Sequence, residues 1–226
     1  MSEDEEIEIW VVEDHRAYRE QLAEAIADNQ SLNVGSVRQF GSGMEFLRAY
    51  GSADDPQLPD VVLLDMRLPG SKDGLSLLRA IRETGNEVSV IMLTMLDDPN
   101  VILEALSAGA NGYLLKSAAL SYIVESIAQA RRGGMVLHPE ITAWLAGSAV
   151  KRATPQTDPN APSITQREHD VLTLLAEGLV KKEIADRLGL SFHTVDGYLR
   201  QIYEKLNVPN KNAAVAEALR RGLITA

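Results

Sequence analysis

Four short apolar runs in this chain each end on a residue suited to handling a phosphoryl group. Ile9-Trp10-Val11-Val12 leads into Glu13-Asp14, Val61-Val62-Leu63-Leu64 into Asp65, Val90-Ile91-Met92-Leu93 into Thr94, and Tyr113-Leu114-Leu115 into Lys116. Runs so short, wholly apolar and rich in Val, Ile and Leu predict strands buried on both faces, the mark of a parallel sheet covered by helices. In such a sheet the carboxyl ends of the strands share one edge. Three carboxylates, a hydroxyl and an ammonium, far apart in sequence, are therefore expected to meet in the crevice where open α/β sheets bind ligands.

The stretches between these runs have helical character, giving the order βαβαβαβαβα. Helices are expected over 16–29, 44–50, 75–83, 99–107 and 118–131, with a second strand over 32–37. Asp98-Pro99 supplies a cap and a first helical residue, and Ser117 is expected to cap the last of these helices. The alternation predicts a doubly wound parallel sheet with right-handed crossovers. Gly133-Gly134 should stop the fifth helix, and 139–145 should form one more short helix. Residues 147–163 hold three prolines and almost nothing to bury, which reads as a linker. If flexible, its ends would lie roughly 20 to 25 Å apart. Beyond it the pattern is helical throughout: Thr165-x-x-Glu168 is a capping box opening a helix that runs to Gly178, followed by helices at about 181–188, 192–206 and 211–221.

A length of 226 residues suits two domains. The absence of cysteine excludes disulfides and thiolate metal sites, and the four histidines are not paired at zinc-ligand spacing. The acidic start, Met1-Ser2-Glu3-Asp4-Glu5-Glu6, does not read as a secretory signal, and no run approaches the ~18 apolar residues of a membrane span, so a cytoplasmic protein is expected. Charge is asymmetric. Residues 1–150 carry 11 Lys/Arg against 23 Asp/Glu, a net −12, whereas residues 151–226 carry 11 against 9, a net +2. Only the rear part could approach nucleic acid.

Aspartate is ionised at neutral pH and can attack phosphorus without a general base. Attack on an anionic phosphoryl group calls for charge neutralisation, to which Mg²⁺ held by one or two carboxylates is suited. Glu13 and Asp14 fit that duty, while Thr94 and Lys116 can stabilise phosphoryl oxygens. Gly41-Ser42-Gly43 lacks the third glycine and lysine of a phosphate loop and reads as a helix-entry turn. Glu13-Asp14, Asp65 within Leu-Leu-Asp-Met-Arg-Leu-Pro-Gly, Thr94, Tyr113 and Lys116 together resemble the receiver domain of bacterial two-component response regulators, over roughly residues 6–130. The resemblance implies a flavodoxin-like (βα)5 receiver in which Asp65 accepts a phosphoryl group from a sensor histidine kinase. It further implies Mg²⁺ on Asp14, Asp65 and the backbone carbonyl of Arg67, with Glu13 acting mainly through water, and Thr94 and Tyr113 as a switch pair. A haloacid-dehalogenase-like phosphatase would need a second aspartate where Arg67 stands, so no enzyme is expected.

Residues 181–195 have the arithmetic of a helix-turn-helix. Ala185 is small where two helices cross, Gly189 permits the turn, and Ser191 caps the second helix. Val195, Leu199, Ile202 and Leu206 give that helix a buried stripe. Its other face, including His193, Asp196, Gly197, Arg200, Gln201 and Glu204, is left for a partner. With Thr165-Gln166-Arg167-Glu168 and Tyr203-Glu204-Lys205-Leu206-Asn207-Val208, residues 164–224 are similar to the four-helix DNA-binding domain of LuxR/FixJ-type (NarL-type) regulators. That resemblance makes 192–206 a major-groove reader and the last helix a dimerisation surface. Candidate DNA contacts are Lys181, Lys182, His193, Thr194, Asp196, Gly197, Arg200, Gln201 and Lys205, with Arg187 and Lys211 as further phosphate contacts. The family usually has lysine, a variable residue and histidine after Thr-Val; here Asp196-Gly197-Tyr198 follows. The aspartate repels phosphate, and a helix-interior glycine costs about 1 kcal/mol relative to alanine. The expected organisation is a receiver over 1–132, a short helix and linker over 133–163, and a helix-turn-helix domain over 164–226. This describes a phosphorylation-dependent transcription regulator that dimerises on a palindromic duplex and has no membrane partner. The alternative is a receiver whose helical domain acts through protein interaction.

Overall fold

A computed structural model describes residues 6–51, 58–70, 73–95, 99–152 and 164–224. In chain order the elements are β1 (Ile7–Val12), α1 (Arg16–Ala27), β2 (Val34–Phe40), α2 (Gly43–Tyr50), β3 (Val61–Asp65), α3 (Gly74–Glu83), β4 (Ser89–Thr94), α4 (Pro99–Ser107), β5 (Gly112–Leu115), α5 (Leu120–Arg131), β6 (Val136–Leu137), α6 (Pro139–Arg152), α7 (Gln166–Ala176), α8 (Lys181–Leu188), α9 (Phe192–Leu206) and α10 (Lys211–Arg220). The strands form one wholly parallel sheet in the order β2-β1-β3-β4-β5-β6. Every residue of β3, β4 and β5 is buried, as continuous apolar runs require when helices cover both faces. The flavodoxin-like α/β architecture followed by an all-α domain is thus as expected.

Several local expectations need correction. A sixth strand exists, pairing Val136 with Gly112 and Leu137 with Tyr113; two residues are too few to leave a periodic signal. The second strand lies at 34–40 rather than 32–37, because an edge strand with half-exposed residues lacks the apolar run that fixes the central ones. Ala119, not Ser117, precedes α5, without a side-chain cap. The helix begun at Pro139 continues to Arg152, so the first part of the expected linker is helical. The rest of that linker, and the cap assigned to Asp98, lie outside the described residues. Ser42 caps α2, confirming the helix-entry turn.

In the rear domain the Thr165–Glu168 capping box opens α7, and Ser191 caps α9. Gly189 ends α8 in the left-handed region at φ +65°, which glycine adopts without steric cost. Val195, Leu199, Ile202 and Leu206 are buried as their spacing requires. The apolar core does not stop at the domain boundary. α10 packs against α4 and α6, joining Ile102, Leu106, Ile141 and Leu145 to Ala214, Val215, Ala218 and Leu219 in one cluster.

Candidate phosphoryl site and nucleic-acid interface

Four parallel strands bring the receiver residues to one edge. Glu13 follows β1 and is fully buried; Asp65 ends β3 and Thr94 ends β4, each 2% exposed. Lys116 follows β5, and its backbone N–H donates to the Thr94 carbonyl at 2.6 Å, fixing one strand end against the next. Its Nζ lies 2.7 Å from Glu13 Oε2 and 2.9 Å from Asp65 Oδ2. The Arg67 N–H donates to Asp65 Oδ1 at 3.0 Å, and the His15 N–H donates to Glu13 Oε1 at 3.1 Å. Arg19 clamps the Glu13 carbonyl at 2.6 Å, a support the sequence did not suggest. Gly74 is a second such support: a Cβ there would collide with the Asp65 carbonyl, so α3 can begin beside β3 only because the residue is glycine.

Carboxylate oxygens of Glu13, Asp14 and Asp65 lie within 4.8 Å of one another, Asp14 being the exposed member. Among the described residues, three carboxylates here face one ammonium, an excess of two negative charges. Desolvation pushes the Glu13 and Asp65 carboxyls above their ordinary range; Lys116 opposes this, while Asp65 adds to it at Glu13 and Asp14 at Asp65. Burial works against the Lys116 ammonium, but its two carboxylate partners outweigh that and raise its pKa. Tyr18 is pushed up to about 12 by desolvation and then by the same two carboxylates. A hard, oxygen-only donor set with two surplus negative charges fits a small divalent cation. Tyr113, the expected partner of Thr94, is fully buried on β5, in the cluster that reaches α4, α6 and α10.

On the rear domain the candidate contacts separate. Lys182, His193, Thr194, Gly197, Arg200 and Gln201 are exposed on or beside α9. Asp196 is not a bare anion: it pairs with Lys181 across from α8 and with Arg200 Nη2 at 3.2 Å, and these cations, Lys181 first, hold its carboxyl below the ordinary range. Lys205 is directed to the buried Glu168, 2.7 Å away, rather than outward. Lys211 turns toward the receiver rather than outward. Its ammonium donates to the Gly133 carbonyl of the receiver, and burial lowers its pKa.

Lys211 is one of three successive donors. Asn210 Nδ2 donates to the Ser107 carbonyl at 3.0 Å, and Asn212 Nδ2 to that of Ala110. These acceptors lie at or just beyond the ends of α4 and α5, where carbonyls lack intrahelical partners. The start of α10 therefore caps two receiver helices, and its residues 212–216, 218 and 219 are buried.

A parallel α/β domain with an acidic crevice, joined to a helix-turn-helix domain, defines a response regulator. Residues 9–128 match the response regulator receiver domain family, and residues 162–218 match the bacterial regulatory proteins of the luxR family. The chain belongs to the LuxR-type response regulators, which are phosphorylation-controlled regulators of transcription rather than a class of enzymes. It is 34% identical to the probable transcriptional regulatory protein NarL of Mycobacterium tuberculosis, over 97% of both chains. It is 31% identical to the nitrate/nitrite response regulator protein NarL of Escherichia coli, over 93% of this chain and 94% of that protein. A structure of the Salmonella typhimurium RcsB response regulator shares the fold, with TM-score 0.54 and 22% identity over 93% of this chain and 96% of that one. Among the described residues no helix is long and apolar enough to cross a membrane.

Proposed function

We propose that Asp65 accepts a phosphoryl group from a phosphohistidine of a sensor histidine kinase, and that the resulting acyl phosphate controls DNA binding by the rear domain. The observation that carries this reading is the buried Asp65 carboxylate, held with Glu13 against Lys116. A carboxylate oxygen attacks phosphorus while the bond from phosphorus to the donor imidazole nitrogen breaks, and the electron pair departs with the imidazole. Glu13, Asp14, Asp65 and the carbonyl of Arg67 would hold Mg²⁺, which supplies charge neutralisation for the phosphoryl oxygens. Thr94 donates to one of those oxygens and Lys116 pairs with another. Arg67 stands where a phosphatase would keep its proton donor, so the acyl phosphate persists as a signal.

The domains divide at 1–132, 133–163 and 164–226. If α10 is the dimerisation surface, the receiver covers it here. Movement of Thr94 and Tyr113 then acts on the same apolar cluster that seats α10, and biases the chain toward an open state pairing two rear domains on a palindromic duplex in the cytoplasm. The test is the affinity of the full chain for duplexes that it enriches from a random-sequence library, measured with Mg²⁺ alone and with Mg²⁺ plus acetyl phosphate. Phosphorylation is expected to raise affinity about ten-fold, within the usual range of coupling between sites. Equal affinities would remove the coupling, and failure to enrich any duplex under either condition would favour an output through protein contacts.

A further inference from the structure

α9 carries a glycine that the chain itself does not need. Gly197 is the sixth residue of this fifteen-residue helix. It is exposed, and a Cβ built on it would meet no atom within 4 Å. Other glycines have internal reasons: Gly74 and Gly178 sit where a Cβ would collide with Asp65 and Gln129, and Gly189 has positive φ. Gly197 has neither reason, yet glycine weakens a helix interior relative to alanine. It lies on the outer stripe with His193, Arg200 and Gln201, opposite the buried Val195, Leu199, Ile202 and Leu206. A missing Cβ on an outward face matters only if something outside approaches more closely than a methyl group permits.

The neighbouring residue does not bar an anionic partner. Asp196 is tied to Lys181 and Arg200, so the three side chains together carry a net charge of +1. Lys182, close to Lys181 on α8, adds another exposed cation. We infer that Gly197 is a specificity-determining residue, whose missing side chain lets α9 seat closer to the floor of the DNA major groove than a helix bearing Cβ atoms throughout. Asp196 is a positioning residue beside it, fixing Lys181 and Arg200 at the rim. This inference rests on the DNA-binding reading above and adds the depth of docking and the residue that sets it.

The experiment compares Gly197→Ala, Gly197→Leu and Asp196→Asn with the unsubstituted full chain, each treated with Mg²⁺ and acetyl phosphate. The duplexes are those enriched by the unsubstituted chain, with unrelated duplexes as reference. Alanine and leucine strengthen the helix, so melting temperature should rise by roughly 2 to 4 °C. Affinity for the enriched duplex should nevertheless fall about ten-fold with alanine, comparable to one wrong base pair, and further with leucine. Binding to unrelated duplex, carried by cations on phosphates, should change by less than about two-fold. Asp196→Asn frees Lys181 and Arg200 and should steepen the salt dependence by about one unit of log K per log salt. If Asp196→Asn acts as expected but the glycine variants bind the enriched duplex as tightly as the parent, close approach is wrong and α9 is still the reader. If none of the three changes DNA affinity at any salt, α9 does not enter the groove and the inference falls, whereas failure of the unsubstituted chain to enrich any duplex would overturn the DNA-binding reading itself.

Discussion

Glu13 and Glu168 are the same chemical object placed in two settings. Each is a glutamate at most 1% exposed, and each is paired with a lysine at 2.7 Å, Lys116 in one case and Lys205 in the other. Their acidities move in opposite directions. At Glu168 desolvation is outweighed by Lys205 together with the Thr165 N–H and hydroxyl, which donate at 2.7 and 2.9 Å, so the carboxyl falls below its ordinary range. At Glu13 desolvation prevails over Lys116, and the neighbouring Asp65 carboxylate, which takes the same lysine, adds to the rise. A buried carboxylate with enough donors ties helices together, whereas one left short of positive charge is prepared to receive it. On the function proposed above, Glu168 serves the fold and Glu13 serves the phosphoryl site.

The largest effect expected from this contrast is at Glu168. Glu168→Ala removes one partner of a buried ion pair and leaves the capping box open, so the rear domain should lose about 3 kcal/mol in urea unfolding. Glu13→Gln, measured without Mg²⁺ at neutral pH, should leave stability unchanged or raise it. Losses of equal size would erase the distinction between the two glutamates.

A smaller effect is expected from pH. Glu13 and Asp65 have ordinary values of 4.5 and 3.8 and are raised in the folded chain. Between those ordinary values and the raised ones the folded state binds more protons than the unfolded, so the contribution of these groups to stability falls as pH rises through that window. Glu168, lowered from 4.5, gives the opposite slope at lower pH: its contribution is full above the ordinary value and is lost as pH falls through the lowered one. Melting of the metal-free chain from acid to neutral pH should therefore show a receiver destabilised at the neutral end. Mg²⁺ should remove that deficit. A melting temperature indifferent to Mg²⁺ at neutral pH would mean that the acidic cluster is not a cation site.

Legibility in the sequence divides along similar lines. The receiver edge could be read because a parallel sheet forces apolar runs on its central strands, which leaves Asp65, Thr94 and Lys116 conspicuous at their ends. The two-residue β6 and the half-exposed β2 lack such runs, so the sequence does not mark the first and shifts the second. Charged residues on helices were harder to assign. Lys211 has the sequence context of a phosphate contact, but its ammonium caps the receiver at Gly133. Asp196 finds its neutralising Lys181 fifteen residues earlier, on another helix, and this pairing depends on the crossing of α8 and α9. Exposed charges are cheap to place anywhere and individually carry little information. Gly74 and Arg19 leave no signal in the sequence for a related reason, since each acts on a backbone carbonyl brought near only by the fold.

On the function proposed above, the charge-deficient site around Glu13 lets Asp65 take a phosphoryl group. Intact mass spectrometry of the full chain after incubation with Mg²⁺ and acetyl phosphate tests it most directly. One phosphoryl group is expected on the unsubstituted protein and none on Asp65→Asn, whose amide is a poor nucleophile. Phosphate retained by Asp65→Asn would contradict the assignment.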